Sequence, residues 1–457
     1  MSTASVEEMV QEADSPVQLL RTNVDAFSMD VHFPAIPNEV TNWIEEQRAI
    51  IETCALGDLS HHMETVHAEG PDVLEFFRDF SVNSFEEFPV GKAKHIVVCN
   101  QRGELFGDGP LLRLDENEFW GVPWGAERWL EFQLEKGDYD VTATWDPPTA
   151  QKDGGDPETF IYQVQGPTAY DTLSELTDAN IREIPFYRFE EIDLAGRPVR
   201  AFGHGMSTQP GFEFHGPWEY AAEIKDAILE AGAAHGIKHL GSKAYNSQSV
   251  RLGWIGAGPP PIFDMDEMQE FREYLGPDTR EANFSIEGSY ESEDIRDYYM
   301  RPEEYGFGKL VSFDHDFVGR DALEERIENP ARQFVSLLWD DEAMVDIYGT
   351  LFEDAEPNKH FELPRHRVAN SAFDQVRKDG ELVGLARRRS YQPDIRGIAS
   401  LAIVDTEHAD PGTEATVLWG EGRDSPNPRI EDHEPREIPA TVSTVPYTED
   451  LRKSAGE

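Results

Sequence analysis

Three residues stand in settings that allow chemistry as well as packing: Tyr245, Glu213 and Asp108. Tyr245 lies in KAYNSQSVRLGWIGAGPPPIF, where a helical run meets a Gly/Pro loop carrying Trp254. A phenol with an ordinary pKa of about 10 can give its proton to an oxyanion leaving group. The alternative is a partly buried helix tyrosine. Gly253, Gly256 and Gly258 precede Pro259, Pro260 and Pro261. Glycine permits close approach or positive φ, and the prolines enforce an extended path. The stretch reads either as a pocket wall or as a helix stop followed by a surface loop.

Asp108 sits in GELFGDGPLLRL with a glycine on each side. Those glycines let another group come close to the strand, so the carboxylate can meet a ligand; a turn aspartate at a strand kink is the competing reading. Glu213 stands between Phe212 and Phe214 in QPGFEFHG. It is either edge-exposed or a buried acceptor, and a buried carboxylate needs partners. A ring with adjacent N–H donors, such as the amino-pyrimidinone edge of a pterin, would match it. Gln163 and Gln165 alternate along YQVQGP, so both can face one pocket or simply be polar strand residues. His61 and His62 are adjacent on what reads as a strand, so they point apart and make a poor chelate. No metal site is expected. The chain lacks GxxxxGK[ST], HExxH and GxSxG motifs, and no GxGxxG follows a strand.

The charge balance is extreme: 89 acidic against 40 basic residues, net −49, over 457 residues of which 39% are hydrophobic. The acids are spread along the chain, which reads as a uniformly acidic surface on a folded protein. That surface suits concentrated salt, where self-repulsion is screened. A salt-loving source is preferred over an ordinary acidic enzyme. Nucleic-acid binding needs clustered cations and is not expected. No apolar run is long enough for a membrane helix. The opening MSTASVEEMVQEADS lacks the basic and apolar regions of a signal peptide, so the expectation is cytoplasmic. Cys54 and Cys99 fit neither a disulfide framework nor a zinc spacing.

These residues need elements to hold them. Residues Ser2 to Val24 read as a polar lead-in with a short helix. A helical pattern opens at Pro37 and runs through Glu52, and Cys54 to Val66 reads as a strand. Asp72 can cap the helix VLEFFRDF. Strands are expected at Lys94–Asn100, Glu104–Leu114, Glu118–Val122, Asp140–Trp145, Phe160–Val164, Glu190–Leu194 and Arg197–Phe202. Helices are expected at Trp124–Leu134 and Thr168–Leu176, from Gly216-Pro217 to Ala231, and within His239–Gly253. "Strand, Gly-Pro, helix" occurs twice, at Gly70-Pro71 and Gly166-Pro167, a hint of two similar α+β units. Beyond Asn329-Pro330 the pattern turns to strands at Gln333–Trp339, Glu381–Ala386, Ile398–Val404, Glu414–Leu418 and Glu437–Ser443, as in a small barrel or sandwich. The polar segment Leu351 to Asn370 has no assignment, and Glu449 to Glu457 reads as a frayed end.

Taken in order, these pieces resemble the tetrahydrofolate-dependent aminomethyltransferase superfamily. DLSHHM with VHAEGPDVLEFF, NQRGELFGDGPLLRL, YQVQGPTA, PGFEF and FVGRDAL each resemble a segment of that family. Its "A-R-D-x-L-R-x-E-x-G" helix stands here as AYNSQSVRLG, with Tyr245 in place of arginine, and Met206 replaces a family tyrosine. The AY run followed by GWI and prolines resembles the vanillate and methoxyarene O-demethylases.

The resemblance implies an α+β, three-domain folate-binding fold around a central channel, with a C-terminal β-barrel. Residues 1–330 would form two interleaved α+β subdomains, 331–446 the barrel and 447–457 a tail. It implies tetrahydrofolate as cofactor and a small-molecule methyl donor, moved to N5 by O-demethylation. Glu213 would hold the pterin edge and Asp108 would sit near its reactive nitrogens. Tyr245 would protonate the phenoxide, and Trp254 would enclose the reactants. Gln163 and Arg113 would orient cofactor or substrate. Two rival implications are an aminomethyl, dimethylglycine-like or methylsulfonium donor, and a folate-binding maintenance protein without transferase activity.

Overall fold

The computed structural model describes residues 5–23, 35–152, 154–205, 209–256, 258–423 and 425–447. Met206 and the end from Glu449 lie outside the described residues. Two antiparallel-rich sheets face each other, and their strands interleave in sequence. The first runs Ile237–His239, Cys54–Asp58, Thr159–Gln165, Gly211–Pro217, Arg197–Phe202, Phe189–Leu194. Its outer member pairs parallel to Cys54–Asp58, with Cys54 opposite Ile237. The second runs Ala93–Cys99, Leu105–Asp115, Glu118–Gly121, Thr65–Glu69, Thr142–Asp146.

Side-chain alternation decides what each face does. In TFIYQVQ, Phe160, Tyr162 and Val164 join Phe212, Phe214, Ile224 and Ile228 in a core beneath the helix Ala221–Gly232. Ile161 falls on the opposite face, in a smaller core with Phe202, Leu112 and Trp120 between the sheets. Gln163 and Gln165 share that parity and are buried. The register sets Glu213 directly opposite Gln163, with Gly57 and Phe202 as flanking partners.

The two Gly-Pro junctions are the same turn used twice. Gly70 has φ 142° and Gly166 has φ 136°, and each is followed by a short helix. A Cβ at Gly70 would strike the Asp140 carbonyl oxygen, and one at Gly166 the Thr53 carbonyl oxygen. Only glycine meets both demands.

Several boundaries differ from the sequence reading. The lead-in holds two helices, Val6–Glu12 and Pro16–Thr22. The helix expected from Pro37 is Trp43–Glu52, capped by Asn42. Cys54–Val66 is not one strand. It stops at Asp58, turns through Leu59–Met63 and resumes at Thr65–Glu69 in the other sheet. Asp72 occupies the position before its helix without capping it; its carboxylate accepts the Asp140 N–H at 2.9 Å instead.

The C-terminal strands close a six-stranded barrel in the order Arg332–Trp339, Gly397–Asp405, Glu381–Gln392, Asp374–Lys378, Glu414–Trp419, Arg436–Ser443. Asp374–Lys378 and the helix Asp341–Thr350 were not expected from the pattern. The 351–370 segment folds back across the barrel. Lys359 reaches Glu421 at 2.7 Å, and the pair is buried.

The helix bearing Tyr245 is Ser242–Leu252. Gly253 ends it in the left-handed region at φ 71°, with its N–H turned back to Ser249 and Val250. Ser390 Oγ and Gln392 Nε2 bond the Ser247 carbonyl at 2.9 and 3.0 Å, clamping this helix to the barrel.

Candidate functional site

The glycines beside Asp108 serve the chain itself. A Cβ at Gly107 would collide with the Trp124 carbonyl, and one at Gly109 with the Val122 carbonyl. The 122–125 segment therefore lies flat on the strand, and Asp108 N–H donates to Trp124 O at 3.2 Å. This carries Trp124 over the site. Asp108 is buried; its Oδ2 meets His95 Nε2 at 2.7 Å, while Oδ1 is buried without a partner. His95 Nδ1 meets the Tyr187 hydroxyl at 2.9 Å. Burial raises the Tyr187 phenol, and the charges of Asp108 and Glu213 raise it further, so it stays protonated.

Glu213 is a buried acceptor. Its Oε1 receives His215 Nε2 at 2.8 Å. Burial acts to raise its pKa, but the His215 hydrogen bond and the neighbouring histidines outweigh it and hold the carboxyl below its ordinary value. Burial lowers His215 despite Glu213, so the pair is an ionised carboxylate with a neutral imidazole protonated at Nε2. His215 Nδ1 is buried and unbonded, so no acceptor holds a proton there. The Trp120 ring covers His215 at 4.4 Å. Gln163 Nε2 and Gln165 Nε2 are also buried without partners on the same face.

Tyr245 closes the third side. Its hydroxyl lies 3.1 Å from His62 Nε2, with the rings 5.1 Å apart. It packs against the inter-sheet core that holds Trp120, Ile161 and Phe202. Burial raises its pKa, Glu213 adds to the rise, and the Arg388 guanidinium opposes it. Glu213 thus acts electrostatically on both Tyr187 and Tyr245. Trp124 stands 6.5 Å from the His62 ring. Trp254 lies under Arg388, and a Cβ at Gly256 would touch the Trp254 ring and Trp124 Nε1.

Asp108, Gln163, Glu213, Tyr245 and Trp254 therefore converge. Arg113 does not join them. It lies on the other face of its strand and donates to the carbonyls of Phe88, Asp115 and Glu116 at 2.7, 3.4 and 2.8 Å. Its guanidinium braces a turn. His61 bonds Thr149 and packs on Trp218, away from His62. Sequence reasoning overlooked His62, His95 and His215. The divergence of His61 and His62 was legible, but reading the pair as strand residues hid that a turn delivers His62 to Tyr245.

A flat heterocycle fits this donor set: an ionised carboxylate for an N–H edge, and two carboxamides and Asp108 Oδ1 for the remaining polar atoms. Tyr245 with His62 can hold and deliver a proton at one oxygen.

The family model for the GCVT N-terminal domain matches residues 21–258. The chain is 35% identical over 446 residues to a syringate O-demethylase of a Sphingobium species, covering 97% of this chain and 96% of that one. It is 30% identical to a sesamin methylene transferase of a Sinomonas species, with 94% of each chain covered. An aminomethyltransferase of a Thermoanaerobacter species is 24% identical over 84% of this chain and 87% of its own. The fold is shared with the glycine cleavage system aminomethyltransferase T of Bartonella henselae, at TM-score 0.60 and 16% identity, covering 89% of this chain and 90% of that one.

Proposed function

Because this chain belongs to the family of the GCVT N-terminal domain and is a one-carbon transferase, we propose that it takes a methyl group from an aryl methyl ether and passes it to tetrahydrofolate. One observation carries the reading. A half-buried phenol, Tyr245, is bonded to His62 and lies within electrostatic reach of Glu213. The unpartnered buried atoms Gln163 Nε2, Gln165 Nε2 and Asp108 Oδ1 fit a pterin, which offers donors and acceptors along one edge. When bound, tetrahydrofolate supplies a nucleophilic N5 that accepts the one-carbon unit.

The chain's residues do the rest. Glu213, ionised and anchored by His215, holds the N–H edge. The His95–Tyr187 pair fixes Asp108 so that Oδ1 faces inward. Trp124 and Trp254 clamp the aromatic donor and limit water. Alignment of donor and acceptor then accounts for much of the rate. Tyr245 donates its proton to the ether oxygen as the bond to methyl breaks, and His62 stabilises the resulting charge. We divide the chain at 330/331 and at 446/447, so that the barrel backs the Tyr245 helix. The spread acid excess is assigned to concentrated salt in the cytoplasm.

The test is incubation with tetrahydrofolate and a panel of methoxyarenes, including syringate, together with sesamin. Formation of 5-methyltetrahydrofolate with equimolar phenol is expected. Turnover only with an aminomethyl or sulfonium donor would refute the aryl-ether reading. Folate binding without product from any donor would refute transfer.

A further inference from the structure

We propose that the arginine cluster between the barrel and the 351–370 segment is a second binding subsite, which takes a ligand group bearing two carboxylates and adjoins the Tyr245 helix. The strand Glu381–Gln392 carries Arg387, Arg388 and Arg389 in succession. Consecutive strand residues normally point to opposite faces. Here the register shifts between Ala386 and Arg389, a bulge that re-aims side chains. All three arginines line one cavity together with Arg365 and Arg367, and Glu287 is its one acid among the described lining residues. In a chain with 89 acidic and 40 basic residues, gathering five arginines beside two carboxylates, Glu287 and Asp374, runs against the composition.

The hydrogen-bond partners of Arg365, Arg387 and Arg388 are neutral, whereas Arg389 is paired with acids. Arg389 takes Glu287 at 2.9 Å and Asp374 at 3.1 Å, and its Nε is still buried without a partner. Arg387 donates to Ala372 O at 3.0 Å, the Tyr305 hydroxyl at 2.6 Å and Ser371 Oγ at 3.3 Å, all neutral. Arg388 has Ser249 Oγ at 3.3 Å and the Trp254 ring at 5.3 Å. Arg365 has Asn246 oxygens at 3.5 and 3.4 Å. Neither Arg365 nor Arg388 has a carboxylate within 4.0 Å among the described residues. Burial, and repulsion from neighbouring arginines, push Arg388 down to about 10 and lower Arg365 as well. A guanidinium keeps its proton at neutral pH, so the charge stays and calls for an anion. The planar fork of each fits one carboxylate in bidentate fashion.

The cavity adjoins the candidate site at Gly256, which lines it. A Cβ there would lie 2.8 Å from Arg388 Nη2 and 3.5 Å from both Trp124 Nε1 and the Trp254 ring, so glycine lets Arg388 and the two tryptophans pack together. Ser249, which holds Arg388, is one helical turn beyond Tyr245. Two sources could supply the carboxylates: the glutamyl tail of a folate, or an acidic substituent on the methyl donor. The first source rests on the folate reading above.

Binding of tetrahydrofolate, and of tetrahydropteroate, which lacks the glutamyl residue and its two carboxylates, is measured by calorimetry, for the full chain and for Arg365→Gln/Arg388→Gln. KM is measured in parallel for a methoxyarene with and without its carboxylates. Arg365→Lys/Arg388→Lys, which keeps the charge but not the fork, serves as a folded control. Tighter binding of tetrahydrofolate than of tetrahydropteroate by about tenfold or more, lost in the Gln pair and partly kept in the Lys pair, supports the subsite with the tail as its source. A similar gap seen only for the donor carboxylates supports it with the donor as source. Binding of both pterins with neither gap overturns the subsite and leaves the folate reading intact. If no folate binds, that reading fails, and tetra-γ-glutamate alone decides: binding that the Gln pair abolishes upholds the subsite, and no binding overturns it.

Discussion

Replacing Tyr245 by Phe isolates a single hydroxyl. The ring keeps its place against the inter-sheet core, and what is lost is the 3.1 Å contact to His62 Nε2 and the proton it can deliver. The stability cost is that of one partly buried hydrogen bond, about 1 kcal/mol. The rate cost is that of a general acid, about 10²–10⁴-fold, or about 3–5 kcal/mol in the barrier. The raised pKa of Tyr245 does not work against this role, because a phenoxide forming in the same buried space meets the same desolvation. The discriminating assay is single-turnover release of phenol from aryl methyl ethers of graded leaving-group pKa. The deficit of the variant should be largest for strongly basic phenoxides and should shrink as electron-withdrawing substituents make the proton unnecessary. Folate affinity should stay within about twofold. Unchanged turnover, or a deficit of equal size across the series, would remove Tyr245 as the acid.

Glu213→Gln keeps an acceptor for His215 but loses the charge, so tetrahydrofolate affinity should fall by about 10–100-fold in a titration with little change in unfolding. Acid sensitivity should come from His204, which burial lowers to about 4 in spite of Glu213. The unfolded chain binds that proton below about pH 6.5 and the folded chain does not, so stability should drop by up to about 3 kcal/mol between pH 6.5 and 4. His204→Phe, which keeps the stacking on Phe202, should lessen the fall in denaturation midpoints over that window, to which His366 and the other buried histidines also contribute. Gly70→Ala and Gly166→Ala should each cost about 2–4 kcal/mol in chemical denaturation, because both the φ and the facing carbonyl reject a side chain.

Alternation carried most of what could be read in advance. In YQVQ it placed Gln163 and Gln165 on one face, and PGFEF put Glu213 between apolar neighbours; both properties are local. Arg113 was misjudged because a residue count on the same strand does not reveal which turn carbonyls claim its guanidinium. The glycines around Asp108 signalled close approach correctly in kind, yet the approaching group is the Val122–Gly125 backbone, a pairing the sequence does not specify. The run ARRRS looks like a solvated strand face. Only the bulge and the returning 351–370 segment, whose Lys359 and Phe361 are buried, turn it inward.

The interleaving of strands also has a kinetic meaning. His62 and Tyr245 are 183 residues apart, and Arg388 lies a further 139 beyond Ser249. Closing loops of that length precedes any reward from the contacts they make, so the pocket is among the last parts to assemble. A chain emerging from the ribosome has no site until the barrel strand carrying Arg388 is out. A ligand that spans the pocket then ties the two sheets, the Tyr245 helix and the barrel into one cooperative unit, and occupancy stabilises the whole chain by mass action.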